Sequence, residues 1–519
     1  MSISAELSRP WSWSLAGIEV PWGERPSLYR HILAHIRPGE PGLAPGGESL
    51  PDWGFVEDGQ PDDHWTPGAL DGVLGYHSEG VEPEEIAREV LEALRALTRK
   101  ASTERAAALY DPLAGTPAIQ YVDHLLAAVH GDERLPMDRV REIARWIATE
   151  AADREAVKIA IALLGLFRDA EDHDLLLTLG RNEELTLYTA VALGNSMEQS
   201  ARTLWDLARQ VNGWGRIQIV ERLFQSKDPE IAAWLLREGY RNNVRYEYTA
   251  LTCALAGDLV GALQNPGPDD ALLTGAADIL SALLRGRHGP AEGIGQYLAG
   301  VDAAELYLEH LRRRSRLGLE HLLATHAIWQ FIHEEDGDVH EIELGWQEQR
   351  EIIVEHAGAV LARPDWPEAV LSGLRSNDLS KFHQAVEAAR ALEIDVWNLI
   401  FERLQRGDDV WSYAVQTDDP GRIGRIVALA EERSSLEDAV LRALRRFPGH
   451  GWPLLRAALQ SHVISHRETA ASALAAWGRV AWPPEAEFLL RSALAHEPDE
   501  EVRDILARAI AGEPVEDPF

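Results

Sequence analysis

The chain has 519 residues, of which 84 are acidic and 50 basic, so its net charge is −34. This length exceeds that of one ordinary compact domain, so we expect several domains or a stacked array. The negative charge repels phosphate groups, which argues against nucleic acids and anionic membrane surfaces as partners. Basic proteins, cations and neutral ligands remain as partner classes.

Cysteine content and hydropathy limit the cellular compartments in which we expect the protein. The one cysteine, Cys253, excludes an intramolecular disulfide and a cysteine-rich zinc site, and its apolar surroundings predict a buried core residue. The first residues do not follow the signal-peptide pattern, and no apolar run reaches the roughly 18 residues of a membrane span. We therefore expect a cytoplasmic protein. Only 4 of the 50 basic residues are lysines, which is typical of a GC-rich bacterial genome.

The first 80 residues differ in composition from the rest, being rich in Trp, Gly and Pro. Aromatic and β-branched residues over 11–22 favour one or two strands, and residues 26–36 favour a short helix between two prolines. We expect a small α+β or irregular segment over 1–80. A helical connector over 81–134 is predicted to follow it.

Helical patterns dominate from residue 83 onward. Residues 84–100 carry apolar side chains at helical spacing. The clearest pattern is residues 465–478, with a polar start, small and apolar residues at helical spacing, and a terminal glycine suited to a left-handed cap. Related patterns occur in residues 154–167, 184–193 and 499–510.

This frame resembles HEAT-like helical repeats. One such helical pair cannot bury its apolar face alone, whereas stacked neighbours can. The resemblance implies an all-α fold: an α-solenoid of HEAT-like helical hairpins over residues 135–519. It specifies a fold and no activity, and the spacing between copies does not establish a repeat count.

Two clusters of carboxylates and histidines are candidate metal ligands. Both residue types bind divalent cations. The candidates are Asp62, Asp63, His64, His77, His333 and His340. The alternative is structural, with the tryptophans of the first segment as its core and the acidic residues as solvated surface. The sequence accordingly predicts no cofactor, with a divalent metal as the alternative.

A second resemblance concerns the N-terminus. The residues Trp11-Ser-Trp13, Gly17-Ile-Glu-Val-Pro-Trp-Gly23 and Arg25-Pro-Ser-Leu-Tyr29 resemble a group of bacterial proteins labelled limonene hydroxylase. The label implies an oxygenating enzyme, but no motif for an oxygen-activating cofactor accompanies these residues. A metal-dependent enzyme with its site between the first segment and the solenoid is therefore the alternative function.

The leading prediction is a non-catalytic scaffold that binds a protein or peptide, with basic segments favoured by charge. Dinucleotide, Walker A, Gly-x-Ser-x-Gly and His-Glu-x-x-His motifs are absent from the chain. Tryptophan is enriched among interface anchors, so we predict contact residues at Trp214, Trp234, Trp346 and Trp411. The alternative for each is a place in the helix-packing core.

Overall fold

The structure, a computed structural model, describes residues 13–52, 67–69, 71, 83–286, 291–333, 343–513 and 515. Within these residues the regular secondary structure is helical, and the predicted all-α class is confirmed. The strand prediction is wrong for residues 13–22, which form turns and irregular chain. Trp11 lies outside the described residues. An isolated β-bridge joins Ile36 and Leu43.

The chain divides into two compact units, Met1–Ala362 and Arg363–Phe519. The α-helices of the first unit are α1 (Leu28–His35), α2 (Pro83–Arg99), α3 (Thr103–Gly115), α4 (Val122–His130), α5 (Met137–Glu150), α6 (Arg154–Leu164), α7 (His173–Leu179), α8 (Glu183–Ser196), α9 (Ser200–Ala208), α10 (Gly213–Arg222), α11 (Pro229–Trp234), α12 (Glu247–Ala256), α13 (Leu259–Gln264), α14 (Asp270–Gly286), α15 (Gly300–Arg312), α16 (Leu319–His333), α17 (Glu343–Glu348) and α18 (Arg350–Leu361).

The even-numbered helices of the first unit form a continuous row. Each of α6, α8, α10, α12, α14 and α16 packs against the next even-numbered helix, ending at α18. Odd-numbered helices pack beside them, as α7 and α9 do on α8. Because α6 also contacts α3, α4 and α5, its residues from Ala156 to Leu164 are all buried. A helix covered on several sides needs apolar residues around most of its circumference, and α6 and α8 have them.

Glycines permit two of these close approaches. A Cβ at Gly215 of α10 would lie 2.6 Å from the Oγ1 of Thr186 on α8. A Cβ at Gly275 of α14 would lie 1.8 Å from the carbonyl oxygen of Leu236. The second contact lies in a π-helical turn, Leu235–Gly239, which follows α11. Cys253, on the intervening α12, is buried as predicted.

The second unit is also helical. Its helices are α19 (Trp366–Leu374), α20 (Leu379–Ala391), α21 (Trp397–Arg406), α22 (Trp411–Ala414), α23 (Pro420–Glu432), α24 (Asp438–Leu444), α25 (Trp452–Ala458), α26 (Ile464–Trp477), α27 (Ala486–His496) and α28 (Glu500–Ala511).

The most regular predicted pattern, residues 465–478, is α26. It ends at Gly478, whose positive φ of 68° favours glycine but whose ψ of 159° differs from that of the predicted left-handed cap. The Trp477 indole donates a 2.7 Å hydrogen bond to the carbonyl of Leu444 on α24, so α26 and α24 are joined by side chain as well as by packing. The row α22, α24, α26 and α28 repeats the arrangement of the first unit.

No helix in the described parts of the chain combines the length and apolar composition needed to cross a membrane.

Candidate functional site

Most of the predicted metal ligands lie in parts of the chain that the structure does not describe. Asp62, Asp63, His64, His77 and His340 lie outside the described residues. His333, at the end of α16, is exposed and stacks on Trp329 with ring centroids 4.0 Å apart. Among the described residues, no group of three or more His, Cys, Asp or Glu side chains is arranged to hold a metal ion. The divalent metal stays a prediction.

The four predicted tryptophan anchors differ in exposure. Trp234, Trp346 and Trp411 are buried, with 8%, 6% and 5% of their surface exposed. Trp214 is half-buried, and its ring lies 5.0 Å from that of Tyr248 on the next even-numbered helix. A partner could reach Trp214 without displacing a helix. Contact by any of the four remains a prediction.

The N-terminal segment lies against the loops that precede the even-numbered helices. We call residues 40–52 the strap; it contains three prolines and three glycines and no helix. The amide of Gly42 donates a 2.8 Å hydrogen bond to the carbonyl of Gln210, before α10. Arg181, before α8, donates from Nη2 to the carbonyls of Glu40 and Gly42, each at 3.2 Å. The start of the strap is therefore held through its backbone.

The middle of the strap is held by the start of α8. The buried amide of Asn182 donates to the carbonyls of Gly47 and Glu48, each at 3.2 Å. Glu48 accepts a 3.3 Å hydrogen bond from the backbone of Glu183, one of the unpaired amides of that helix end. A Cβ at Gly47 would lie 2.7 Å from the Cβ atoms of His35 and Leu43, so this position requires glycine.

The end of the strap is held by the start of α6. Asp52 accepts hydrogen bonds from the backbone amide and Nε of Arg154, both at 2.9 Å, and from Nη2 at 3.1 Å. A carboxylate at a helix N-terminus is favoured by the helix dipole, and two-point pairing with arginine adds specificity. Thirteen residues of strap thus contact the starts of α10, α8 and α6 in turn.

A buried ion cluster lies beside the strap. The Lys158 ammonium, 0% exposed on α6, lies 2.7 Å from Asp71, 2.8 Å from Glu155 and 2.7 Å from Glu184. Glu184 also accepts a 2.7 Å hydrogen bond from the amide of Gly68. Lys158 therefore ties Asp71 to α6 and α8, and Glu184 ties Gly68 to the same cluster; Asp71 and Gly68 both lie near the strap in sequence.

Burial and charge shift the ionisation of the cluster in opposite directions. Burial raises the pKa of Asp71 to about 6 against the attraction of Lys158. The pKa of Glu184 is lowered despite its burial because Lys158 and the Gly68 amide stabilise its charged form. The surrounding carboxylates raise the pKa of Lys158 in spite of its burial, so its ammonium stays charged. A lysine held in this state is a structural cation, not a nucleophile.

A second pair of carboxylates lies where the strap meets α8. Burial raises the pKa of Glu183 to about 7, and the nearby charge of Glu48 adds to the effect. Burial likewise raises the pKa of Glu48, against the attraction of Arg181. Two desolvated carboxylates at this contact make its electrostatics sensitive to pH near neutrality.

Sequence reasoning missed both the strap and the cluster, although a signal was present. The core of the row repeats every thirty residues, and one such series is Leu163, Leu193, Leu223, Cys253 and Leu283. Five positions before each member of that series lies a polar or aromatic residue, and these residues are Lys158, Tyr188, Gln218, Tyr248 and Asp278. Lys158, a rare lysine inside an apolar run, was the single most visible sign.

A second thirty-residue series marks the loops before the helices. Asn182, Asn212 and Asn242 lie at equivalent positions, and each side-chain oxygen accepts a backbone hydrogen bond near a helix start. Asn is favoured at such positions because its short side chain satisfies amides that the helix leaves free. The loop at Asn242 is therefore equivalent in position to the loop at Asn182, which contacts the strap.

The comparisons with known proteins provide no identity. No family model, no curated protein and no solved structure matches the chain.

Proposed function

We propose that the protein is a helical-repeat scaffold, an α-solenoid of HEAT-like hairpins, that binds non-helical segments of protein partners. The strap is the observation that carries this proposal. It is a peptide-like segment held mainly by backbone hydrogen bonds and helix-start contacts, across the beginnings of α10, α8 and α6. A surface that holds its own chain in this way is chemically suited to hold another.

The packing pattern supports the solenoid part of the proposal. Each even-numbered helix from α6 to α16 contacts the next, and side-chain contacts recur between residues about one repeat apart. Examples are Lys158 with Glu184 and Arg202 with Asp228 in the first unit, and Arg467 with Glu497 in the second. Nearest-neighbour contacts of this kind are the basis of repeat arrays, which offer long surfaces for binding.

Charge supports partners with basic segments. The first unit has 58 acidic and 32 basic residues, so its field attracts cations at long range. Such attraction accelerates encounter and is weakened by salt, while the local hydrogen bonds decide which segment stays bound. A bacterial cytoplasmic setting is part of the same proposal.

A peptide selection tests the function. The full chain is immobilised and exposed to a displayed library of random twelve-residue peptides, first in low and then in high salt. We expect enrichment of peptides with Gly or Pro beside basic residues, with affinities that fall as salt rises. Selection of no binding peptide in either condition contradicts the scaffold function, and enrichment of acidic peptides contradicts its charge preference.

A further inference from the structure

We propose that a surface one step further along the row binds a glycine- and proline-rich peptide without regular secondary structure. The surface consists of Trp214, Arg241, Tyr246 and Tyr248, and we call it the arginine–aromatic edge. The arginine would donate to backbone carbonyls, and the aromatic rings would pack against proline rings. This inference rests on the proposed function, since it names one class of partner and its place.

The first argument is equivalence with the strap contact. Arg241 and Asn242 follow Arg181 and Asn182 at a distance of sixty residues, two repeats of the series. Asn182 and Asn242 both accept backbone hydrogen bonds from the residues that lead into an even-numbered helix. At the earlier position the arginine holds two carbonyls of the strap. At the later position the arginine is exposed.

The second argument is that Arg241 is held ready. Asp278 accepts a 2.7 Å hydrogen bond from the hydroxyl of Tyr240, and that hydroxyl accepts a 3.0 Å hydrogen bond from Nε of Arg241. The guanidinium carbon also lies 5.4 Å from the centre of the Tyr240 ring. With Nε engaged, both Nη groups remain as donors, because neither forms a hydrogen bond or ion pair with another described residue. Fixing a side chain before binding reduces the entropy lost on binding.

The third argument is the aromatic surface beside this arginine. The half-buried rings of Trp214 and Tyr248 lie 5.0 Å apart, and Tyr246 meets Tyr240 edge-on at 5.4 Å. Proline-rich segments dock on aromatic-lined grooves because their restricted backbone loses little entropy on binding. Aromatic side chains supply contact area together with hydroxyl or indole donors.

The edge is also continuous with the surface that the N-terminal segment contacts. A Cβ at Gly68 would lie 3.2 Å from the Cβ of Trp214, so Trp214 touches that segment on one side and Tyr248 on the other. The strap, with its prolines and glycines, shows the kind of segment that these loops accept. The occupant is therefore a peptide of strap-like composition.

The experiment uses a labelled synthetic peptide with the sequence of residues 38–50 carrying Glu40→Gln and Glu48→Gln, so that its side chains are uncharged and the negative field of the chain does not repel it. The peptide is added to the full chain and followed by fluorescence anisotropy. We expect saturable binding at one site per chain. Arg241→Ala and Tyr248→Ala should each weaken it by about tenfold or more. Arg245→Ala removes an exposed arginine of the same loop and should leave the affinity within about twofold. Circular dichroism confirms that each variant is folded.

Other outcomes separate the two proposals. Equal loss in Arg241→Ala and Arg245→Ala indicates unspecific charge attraction and overturns the edge. If only Arg181→Ala weakens peptide binding, the peptide occupies the path of the strap. That result also overturns the proposal of the arginine–aromatic edge, but it is consistent with a peptide-binding scaffold. Absence of binding by this peptide, together with successful selection of other peptides, refutes the edge alone.

Discussion

The Lys158 ammonium and the Asp71 carboxylate lie 2.7 Å apart, and both side chains are almost completely excluded from water. Lys158 belongs to a helix of the row and Asp71 to the N-terminal segment. Replacing buried ion pairs by apolar groups is often tolerated, but removing one partner leaves an uncompensated charge. Lys158 has three carboxylates around it, so its loss affects all of them.

We therefore expect Lys158→Met to destabilise the first unit by about 3–5 kcal/mol. Urea unfolding followed by tryptophan fluorescence measures the change. Lys100→Met is the matched control, since Lys100 is exposed, and it should shift stability by less than about 0.5 kcal/mol. A loss below about 1 kcal/mol for Lys158→Met contradicts the interpretation of the cluster as a tightly coupled anchor.

Stability should decrease as pH rises through neutrality because of Glu183. Its folded-state pKa, about 7, lies above the ordinary value of 4.5, so the folded chain holds a proton that the unfolded chain releases. The contribution is fully present below pH 4.5 and is lost as the pH rises through 7. Asp71, with its pKa raised to about 6, adds a decrease of the same sign at lower pH.

Glu183→Gln should remove this dependence. At pH 8 the variant is expected to be more stable than the parent chain by up to about 3 kcal/mol, and at pH 4 nearly equal to it. Thermal unfolding between pH 4 and 8 gives the comparison. A slope that is the same in both proteins assigns the dependence to other groups.

The strap should depend on its carboxylate anchor. Asp52→Asn weakens the two-point contact with Arg154, and we expect faster hydrogen exchange at the Gly42 amide, which bonds Gln210. Exchange measured by mass spectrometry on peptides of the strap reports this. Glu40→Gln is the control, because the Glu40 side chain is exposed and pairs only with Arg37 among the described residues. Unchanged exchange in Asp52→Asn contradicts the role of this contact.

Two helical glycines should respond oppositely to alanine. Gly275→Ala places a methyl group against the carbonyl of Leu236 and should destabilise by about 1–3 kcal/mol or more. Gly194 of α8 has nothing within 4 Å of an added Cβ, so Gly194→Ala should stabilise by roughly 0.5–1 kcal/mol. Denaturant unfolding of both variants measures the difference. Equal effects argue against the close packing of α14 on the turn after α11.

The helices were predictable because their determinants are local. Residues 84–100 and 465–478 show apolar spacing and terminal signals that tertiary contacts do not override, and they form α2 and α26. The strands predicted over 11–22 illustrate the opposite case. The aromatic side chains of Trp13 and Trp22 pack on helices instead. The Trp13 indole donates a hydrogen bond to the carbonyl of Leu97, and the Trp22 ring lies 4.7 Å from the ring of Trp146. Alternation alone cannot distinguish such packing from a strand.

The candidate site was less predictable because its partners are remote in sequence. Lys158 and Asp71 are 87 residues apart, and Arg154 and Asp52 are 102 apart. Such pairings depend on the path of the N-terminal segment, whose residues 40–52 have no periodic pattern of their own. The thirty-residue repeat is present in the sequence, but it is hard to recognise because other residues, such as Cys253, interrupt its series of leucines.

The strap also has a consequence for cooperativity. The main contacts within the described row join successive helices, so an opening fluctuation could separate one pair without disturbing the next pair. The strap contacts the starts of α10, α8 and α6, and opening any one of them breaks hydrogen bonds that also secure the others. These three helices should therefore open as one cooperative block, whereas α12 to α16 have no described segment that joins them in this way.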